Sequence, residues 1–373
     1  MKILFFFPNE NRVRTKSLSY TNLKEGSGFS GTETALLEMS KFLVDRGHSV
    51  QIYGVADTYN DYGINFISEN DINRVDLDID WYSPIFFCLI DKQKNLLNRL
   101  NSERTKVFIW FQCFISDNYI HEIKQKFQVY GQYLCNYVAN EYPNVIDKKN
   151  SWIIYNGIDE NFINLDIPDI SIKRGNWIFH ATYERGGSIA KKIFSKINII
   201  DEKLASKMLL LSYHTPDVYK YESSNNIVNC GSKTKIEVRD MLLKSDYFVY
   251  PLVLDDGRVH HDTFGSVMLE ALACGTIVVV WDVACISSVY EDYVVKISVP
   301  DHIKRNYNPF ARFASCKWMT TDEAQQLYID KIMELESDQV KKELIRARGV
   351  EWARKITWET LGSQMEYHLI SNV

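Results

Sequence analysis

Three side chains have a type and setting that could do chemistry: Arg185, Asp262 and Glu270. Arg185 lies in Thr182-Tyr183-Glu184-Arg185-Gly186-Gly187. Its guanidinium is always charged and bonds phosphate oxygens in pairs, and the glycines beside it let the backbone come close to a ligand. Asp262 and Glu270 lie in His261-Asp262-Thr263-Phe264-Gly265-Ser266-Val267-Met268-Leu269-Glu270-Ala271-Leu272-Ala273-Cys274-Gly275. Two carboxylates in that stretch can grip sugar and ribose hydroxyls by charge-assisted hydrogen bonds. A glutamate inside the apolar run Val267–Ala273 needs a partner if it is buried. A helix cap followed by an ion-paired glutamate has the same pattern, and both readings stand at this point. Lys191 and Lys192 read as solvated charge.

A second phosphate-binding candidate is Gly26-Ser27-Gly28-Phe29-Ser30-Gly31-Thr32-Glu33. Ser30 and Glu33 have capping-box spacing. Ala35, Leu36, Met39, Phe42 and Leu43 then recur at helical spacing until Gly47. First-turn N–H groups with the helix dipole behind them suit a diphosphate. A well-capped glycine turn is the equal alternative. A nicotinamide-binding fold is disfavoured, because it needs G-x-G-x-x-G directly after the first strand. Pro8-Asn9-Glu10-Asn11-Arg12-Val13 stands there instead.

The elements that must position these residues alternate. Strands are expected at Lys2–Phe7, Val50–Gly54, Ile85–Leu89, Val107–Phe111, Tyr133–Asn136 and Trp152–Tyr155. A second set follows at Trp177–His180, Met208–Ser212, Ile227–Cys230, Tyr247–Pro251 and Thr276–Trp281. Several are apolar on both faces, and helical stretches separate them, which predicts parallel sheets covered on both sides. The expected class is α/β, and 373 residues suit two domains. The hinge is expected near Asn161–Arg174, and the amphipathic segment Trp358–Ile370 is expected to return to the first domain.

Composition removes other classes. A net charge of -5 without long basic runs argues against nucleic acid as a partner. No apolar stretch is long enough to span a bilayer. Seven cysteines, an odd number without a Cys-x-x-Cys pair, suit a reducing compartment, so a cytoplasmic location is expected. Contact of the basic residues between Lys2 and Lys24 with an anionic membrane surface stays open. Two acidic or histidine clusters raise the question of a metal. Asp76-Leu77-Asp78-Ile79-Asp80 reads as a solvated loop, and in His260-His261-Asp262 adjacent histidines point apart with no third ligand at helical spacing. No metal and no other cofactor is expected.

At the acidic stretch the chain resembles the retaining glycosyltransferases of the GT-B fold, family 4 type. Asp262-Thr263-Phe264-Gly265 and Glu270-Ala271-Leu272-Ala273-Cys274-Gly275 match that family's E-x-F-G-x-x-x-x-E-A-x-A-x-G. Tyr155-Asn156-Gly157-Ile158-Asp159 resembles its I-x-N-G-I-D. Ser30-Gly31-Thr32-Glu33, closed by Arg46-Gly47-His48-Ser49-Val50, is similar to its G-G-x-E helix ending in R-G-H-x-V. Thr182–Gly186 is similar to its diphosphate loop, and the matches run in the family's order over roughly residues 28–275.

The resemblance implies two Rossmann-like domains facing each other across a cleft. Residues 1–165 would bind the acceptor, 173–355 the nucleotide sugar, and 356–373 would pack back on the first domain. It implies transfer of a hexose-type sugar from a nucleoside-diphosphate donor to a glycan, lipid-linked or protein-linked acceptor. Gly31 would face the donor phosphates and Arg185 would bind the diphosphate. Glu270 would take the ribose, Asp262 the transferred sugar, and Gly231 and Ser232 the nucleobase. Thr263, Phe264 and Gly265 would present backbone to sugar or phosphate, and Asn156, Gly157 and Asp159 would shape the cleft floor. The chain departs from the pattern at three places. Asp262 replaces the usual glutamate, His180 an arginine, with Arg258 a candidate to compensate, and Gln112 a histidine. Asp262, Gln112 and Arg185 are therefore the expected catalytic residues. A sugar-nucleotide-binding protein that has lost catalysis, and a sugar-nucleotide epimerase, are the competing readings.

Overall fold

The computed structural model describes residues 1–7, 18–26, 29–74, 84–87, 100, 102–103, 105–167, 169, 175–211, 224–304 and 315–372. Gly28, the Pro8–Val13 stretch, Asp76–Asp80, the strand ends at Leu89 and Ser212, and residues 170–174 of the expected hinge lie outside them. The chain divides into two compact units, Met1–Gly157 with Thr357–Val373, and Ile158–Ile356.

In the first unit the described strands are β1 (Lys2–Phe6), β2 (Ser49–Val55), β3 (Tyr59–Asp61), β4 (Ile64–Ser68), β5 (Pro84–Phe87), β6 (Lys106–Phe111), β7 (Gln128–Tyr133) and β8 (Ser151–Ile153). They form one sheet in the order β3-β4-β2-β1-β5-β6-β7-β8. Only the β3–β4 pairing is antiparallel. Val107, Phe108, Ile109, Trp110 and Phe111 are all buried, as a strand covered on both faces requires. The helix Gly31–Asp45 begins at a complete capping box, with Ser30 and Glu33 bonded reciprocally.

The sequence reading lacks the strands Tyr59–Asp61, Ile64–Ser68 and Val295–Ile297, and displaces one other. The strand expected at Tyr133–Asn136 is Gln128–Tyr133, and Asn136 opens a short helix. Gln128, Gly131 and Gln132 interrupt the apolar run, yet residue-by-residue pairing with Lys106–Phe111 fixes the strand there. The β3–β4 hairpin turns on Tyr62 and Gly63, both with positive φ (50° and 81°). That geometry normally advertises itself with Asn-Gly or Asp-Gly, and a tyrosine conceals it.

The helix Trp358–Ser371 packs on the first unit. Glu366 accepts from Arg46 Nε at 3.0 Å and meets His48 Nε2 at 2.8 Å. Trp152 stacks on His368 with centroids 4.5 Å apart. Gly362 lets the helix approach Phe42, because a Cβ there would come within 2.5 Å of that ring.

The second unit is a six-stranded sheet with β11-β10-β9-β12-β13-β14 as its order. The strands are β9 (Asn176–His180), β10 (Lys207–Leu211), β11 (Ile227–Gly231), β12 (Tyr247–Tyr250), β13 (Ile277–Trp281) and β14 (Val295–Ile297). All five pairings are parallel. In chain order this is 3-2-1-4-5-6, the doubly wound nucleotide-binding arrangement, with its switch point between β9 and β12. The helices Gly187–Ile200, Lys235–Leu242 and Ser266–Ala273 supply crossovers.

Gly362→Ala is expected to lower the first unit's unfolding free energy by about 1–3 kcal/mol, and with it the denaturation midpoint, since the overpacking against Phe42 outweighs the gain in helix propensity. Chemical denaturation followed by circular dichroism measures this, and a raised midpoint would show that the ring yields.

Candidate active site

The switch point of the second unit gathers four side chains. β9 ends at His180, and Thr182 then opens the single turn Tyr183–Arg185. Gly186 follows at φ +107°, where a Cβ would also stand 2.8 Å from Pro251. This glycine lets the loop pass the end of β12 and sets Arg185 over it. Leu252 holds that end in a left-handed conformation, φ +57°, although it is fully buried. Its N–H donates to the Arg185 carbonyl at 3.1 Å, and its carbonyl accepts from His260 N–H at 2.7 Å. Backbone strain of this kind persists only where surroundings impose it.

Asp262 is the centre of the cluster. Its Oδ1 accepts from Arg185 Nη1 at 3.0 Å and meets His260 Nε2 at 3.1 Å. Its Oδ2 accepts from the Tyr250 hydroxyl at 2.7 Å, and Arg185 Nη1 also donates to that hydroxyl at 3.2 Å. Burial alone would raise the Asp262 carboxyl, but the Arg185 guanidinium, with His260 and Tyr250, holds it well below the usual carboxylate range. Burial, and then the charge of Asp262, push the Tyr250 hydroxyl far above its ordinary value. Asp262 therefore stays ionised and Tyr250 protonated at neutral pH.

Glu270 lies on the second turn of helix Ser266–Ala273 and is 4% exposed. Lys235 Nζ forms an ion pair with its Oε1. Its Oε2 is buried and has no hydrogen-bond partner among the described residues. His180 Nδ1 stands 3.9 Å from that oxygen. Burial pushes the Glu270 carboxyl up, against the pull of Lys235. Burial, and then the Lys235 charge, lower His180 to about 3, so its ring is neutral at neutral pH.

The remaining expected residues fall as follows. Gly265 caps the helix at φ +77°, and a side chain there would run into Met268. Its carbonyl accepts from the Tyr290 hydroxyl at 2.8 Å. Phe264 is buried, and Thr263 is partly exposed beside it. Gly231 ends β11 at φ +64° with open space where a Cβ would go, and Ser232 follows. Asp159 caps the turn Glu160–Phe162 by accepting from Asn161 N–H at 2.8 Å. Arg258 is exposed and bonded to Asp256 at 2.7 Å.

Gly31, Gln112, Asn156 and Gly157 belong to the first unit. Gly31 is the exposed first residue of its helix. Gln112 and Asn156 exchange amide hydrogen bonds at 2.8 and 3.0 Å, and both are buried. At Gly157 a Cβ would stand 2.6 Å from the Trp358 backbone nitrogen.

Solved structures share this architecture. The chain aligns with a glycosyltransferase from Rickettsia africae at 13% identity and TM-score 0.64, over 100% of this chain and 99% of that one. It aligns with Anabaena Alr3699/HepE, solved with UDP-glucose, at 14% identity and TM-score 0.65, over all of both chains. The fold is GT-B. AviGT4, a glycosyltransferase of avilamycin A biosynthesis, shares the GT-B architecture at 12% identity and TM-score 0.59, over 99% and 97% of the two chains. Residues 217–308, which include Asp262 and Glu270, match the family model described as glycosyl transferases group 1. No curated protein matches the chain.

On this GT-B scaffold, Tyr250, His260, Leu252 and Lys235 join the site without having been singled out for these positions. Tyr250 was discoverable as the last residue of a strand whose carboxyl end faces the switch point. Lys235 carries no local signal, because it meets Glu270 only through the fold. Among the described residues no group of three His, Cys, Asp or Glu could hold a metal ion.

The guanidinium is already occupied by an internal carboxylate, so an incoming anion competes with Asp262. Asp262→Asn is expected to tighten binding of inorganic pyrophosphate about tenfold, as the charge-assisted bond to Arg185 is weakened. Arg185→Ala should cancel that gain. Calorimetric titration measures both, and unchanged affinity in Asp262→Asn would contradict the competition.

Proposed function

We propose that the chain is a retaining GT-B glycosyltransferase that moves a hexose-type sugar from a nucleoside-diphosphate donor to a glycan, lipid-linked or protein-linked acceptor. One observation carries the proposal. A guanidinium bonds one buried carboxylate at the switch point of a doubly wound sheet, and that acid and a second buried carboxylate both lie in the segment matching glycosyl transferases group 1. Ligands of such sheets bind outside the carboxyl ends of the strands, at that switch point.

In this reading the diphosphate draws Arg185 away from Asp262, and the released carboxylate turns to a hydroxyl of the transferred sugar. The unsatisfied Oε2 of Glu270 accepts from a ribose hydroxyl. Gly231 and Ser232 border the nucleobase, and Thr263, Phe264 and Gly265 present backbone to sugar or phosphate. The Anabaena protein was solved with UDP-glucose, which makes a UDP-sugar the first donor to test.

Transfer breaks the bond from the anomeric carbon to the phosphate oxygen and forms a bond to the acceptor oxygen. The acceptor's proton goes to the departing phosphate oxygen on the same face. Charge building on that oxygen is met by Arg185 and fixed backbone dipoles, the main source of stabilisation in such a step. No side chain has to titrate. Gln112 cannot accept a proton, and its amide is committed to Asn156. The same commitment favours a second reading, a sugar-nucleotide-binding protein without turnover. Donor binding without transfer or hydrolysis across an acceptor panel would select it. A metal-independent reaction and a cytoplasmic location belong to the leading reading. Among the described residues no helix is long and apolar enough to cross a membrane.

Two outcomes test the proposal. Arg185→Ala and Glu270→Ala should each weaken binding of the best nucleotide sugar from a thermal-shift screen by about 2–3 kcal/mol, and unchanged affinity in both would remove these roles. The new linkage, read by NMR in the presence of EDTA, should keep the donor's anomeric configuration. An inverted product, or loss of activity restored by manganese, would refute the mechanism.

A further inference from the structure

Lys235 is the first residue of helix Lys235–Leu242, four positions beyond Gly231. The helix has its own complete capping box in Thr234 and Glu237, so Lys235 is not needed to start it. A lysine in the first turn also opposes the helix dipole. Its side chain is 13% exposed and runs inward to Glu270 Oε1. Breaking a buried pair of this kind strands the remaining charge, so the pair must satisfy a demand at Glu270.

We propose that Lys235 is a positioning residue that fixes the Glu270 carboxylate for the ribose of a nucleoside diphosphate. The inference rests on the ribose role given to Glu270 above. Lys235 engages Oε1, which leaves Oε2 without a hydrogen-bond partner among the described residues. Among the described residues, the other groups around Glu270 give it no positive charge. His180, at the end of β9, is neutral at neutral pH. Asp159, ahead of the turn Glu160–Phe162, raises the carboxyl further. Tyr290 donates its hydroxyl to the Gly265 carbonyl. The helix Gln339–Ala353 turns Gly349 to Leu272 on the other side, and its Arg346 bonds Asp246 at 3.2 Å. Without Lys235, burial would carry Glu270 toward its neutral acid, a weaker acceptor for a hydroxyl.

The test uses whichever of UDP, GDP and ADP binds tightest, titrated calorimetrically from pH 6 to pH 9. The readout is the Kd of Lys235→Met divided by that of the unaltered chain at each pH, which cancels titration of the nucleotide's own phosphate. The ratio should be within about threefold of one at pH 9 and rise to about tenfold or more at pH 6, as a charge-assisted bond is lost. Lys235→Arg should keep the ratio flat. In a Glu270→Gln background, where adding Lys235→Met removes both charges of the pair, Lys235→Met should have no pH-dependent effect. A ratio that is the same at every pH, or a pH dependence that survives in Glu270→Gln, would overturn the proposal. If Glu270→Gln alone leaves affinity unchanged, or none of the three nucleotides binds, the ribose role itself falls, an outcome separable from failure of Lys235 alone.

Discussion

The site depends on one interaction, the ion pair between Arg185 and the buried carboxylate of Asp262. Asp262 has left water, and among the described residues Arg185, His260 and Tyr250 keep it charged. A carboxylate so enclosed would otherwise take up a proton. The loop after β9, the end of β12 and the strained Leu252 between them all converge on that geometry. Gly186 clears Pro251, Leu252 ties Arg185 to His260 through the backbone, and Tyr250 bridges acid and guanidinium. In the ligand-free protein the pair is self-neutralising. Under the proposed function, a donor diphosphate replaces one anion on Arg185 with another, so the guanidinium is never left without a counter-charge.

Glu270 presents the opposite situation a short way along the same segment. One oxygen is held by Lys235, and the other has no hydrogen-bond partner among the described residues. A buried acceptor left unsatisfied costs on the order of 1–3 kcal/mol, which a bound hydroxyl can recover. One acid is thus saturated with donors and the other is short of one. Under the proposed function that asymmetry divides their work, the first acid at the reacting end of a donor and the second at its ribose.

Much of the second unit was legible in the chain itself. Trp177–His180, Tyr247–Tyr250 and Ile277–Trp281 are short, apolar and bounded by turns, and they form the centre of the sheet. The Asp262–Glu270 spacing placed one acid in a strand-end loop and the other on a helix, where they are found. Other features were hidden for identifiable reasons. Gln128–Tyr133 is strand by pairing with β6 and not by its own pattern. Tyr62 turns a hairpin without the usual residues, and the strain at Leu252 leaves no mark in composition. Lys235 and Glu270 are 35 positions apart, and no periodicity links them. Local patterns revealed elements and motif residues, while partners supplied by the fold stayed invisible.

The most direct measurement of the central claim is a crystal structure of the chain with a bound nucleoside diphosphate. The account predicts phosphate oxygens within hydrogen-bond distance of the Arg185 guanidinium, with its bond to Asp262 broken or shared, and the ribose against Glu270. A diphosphate bound away from Arg185, with the Arg185–Asp262 pair undisturbed, would contradict it.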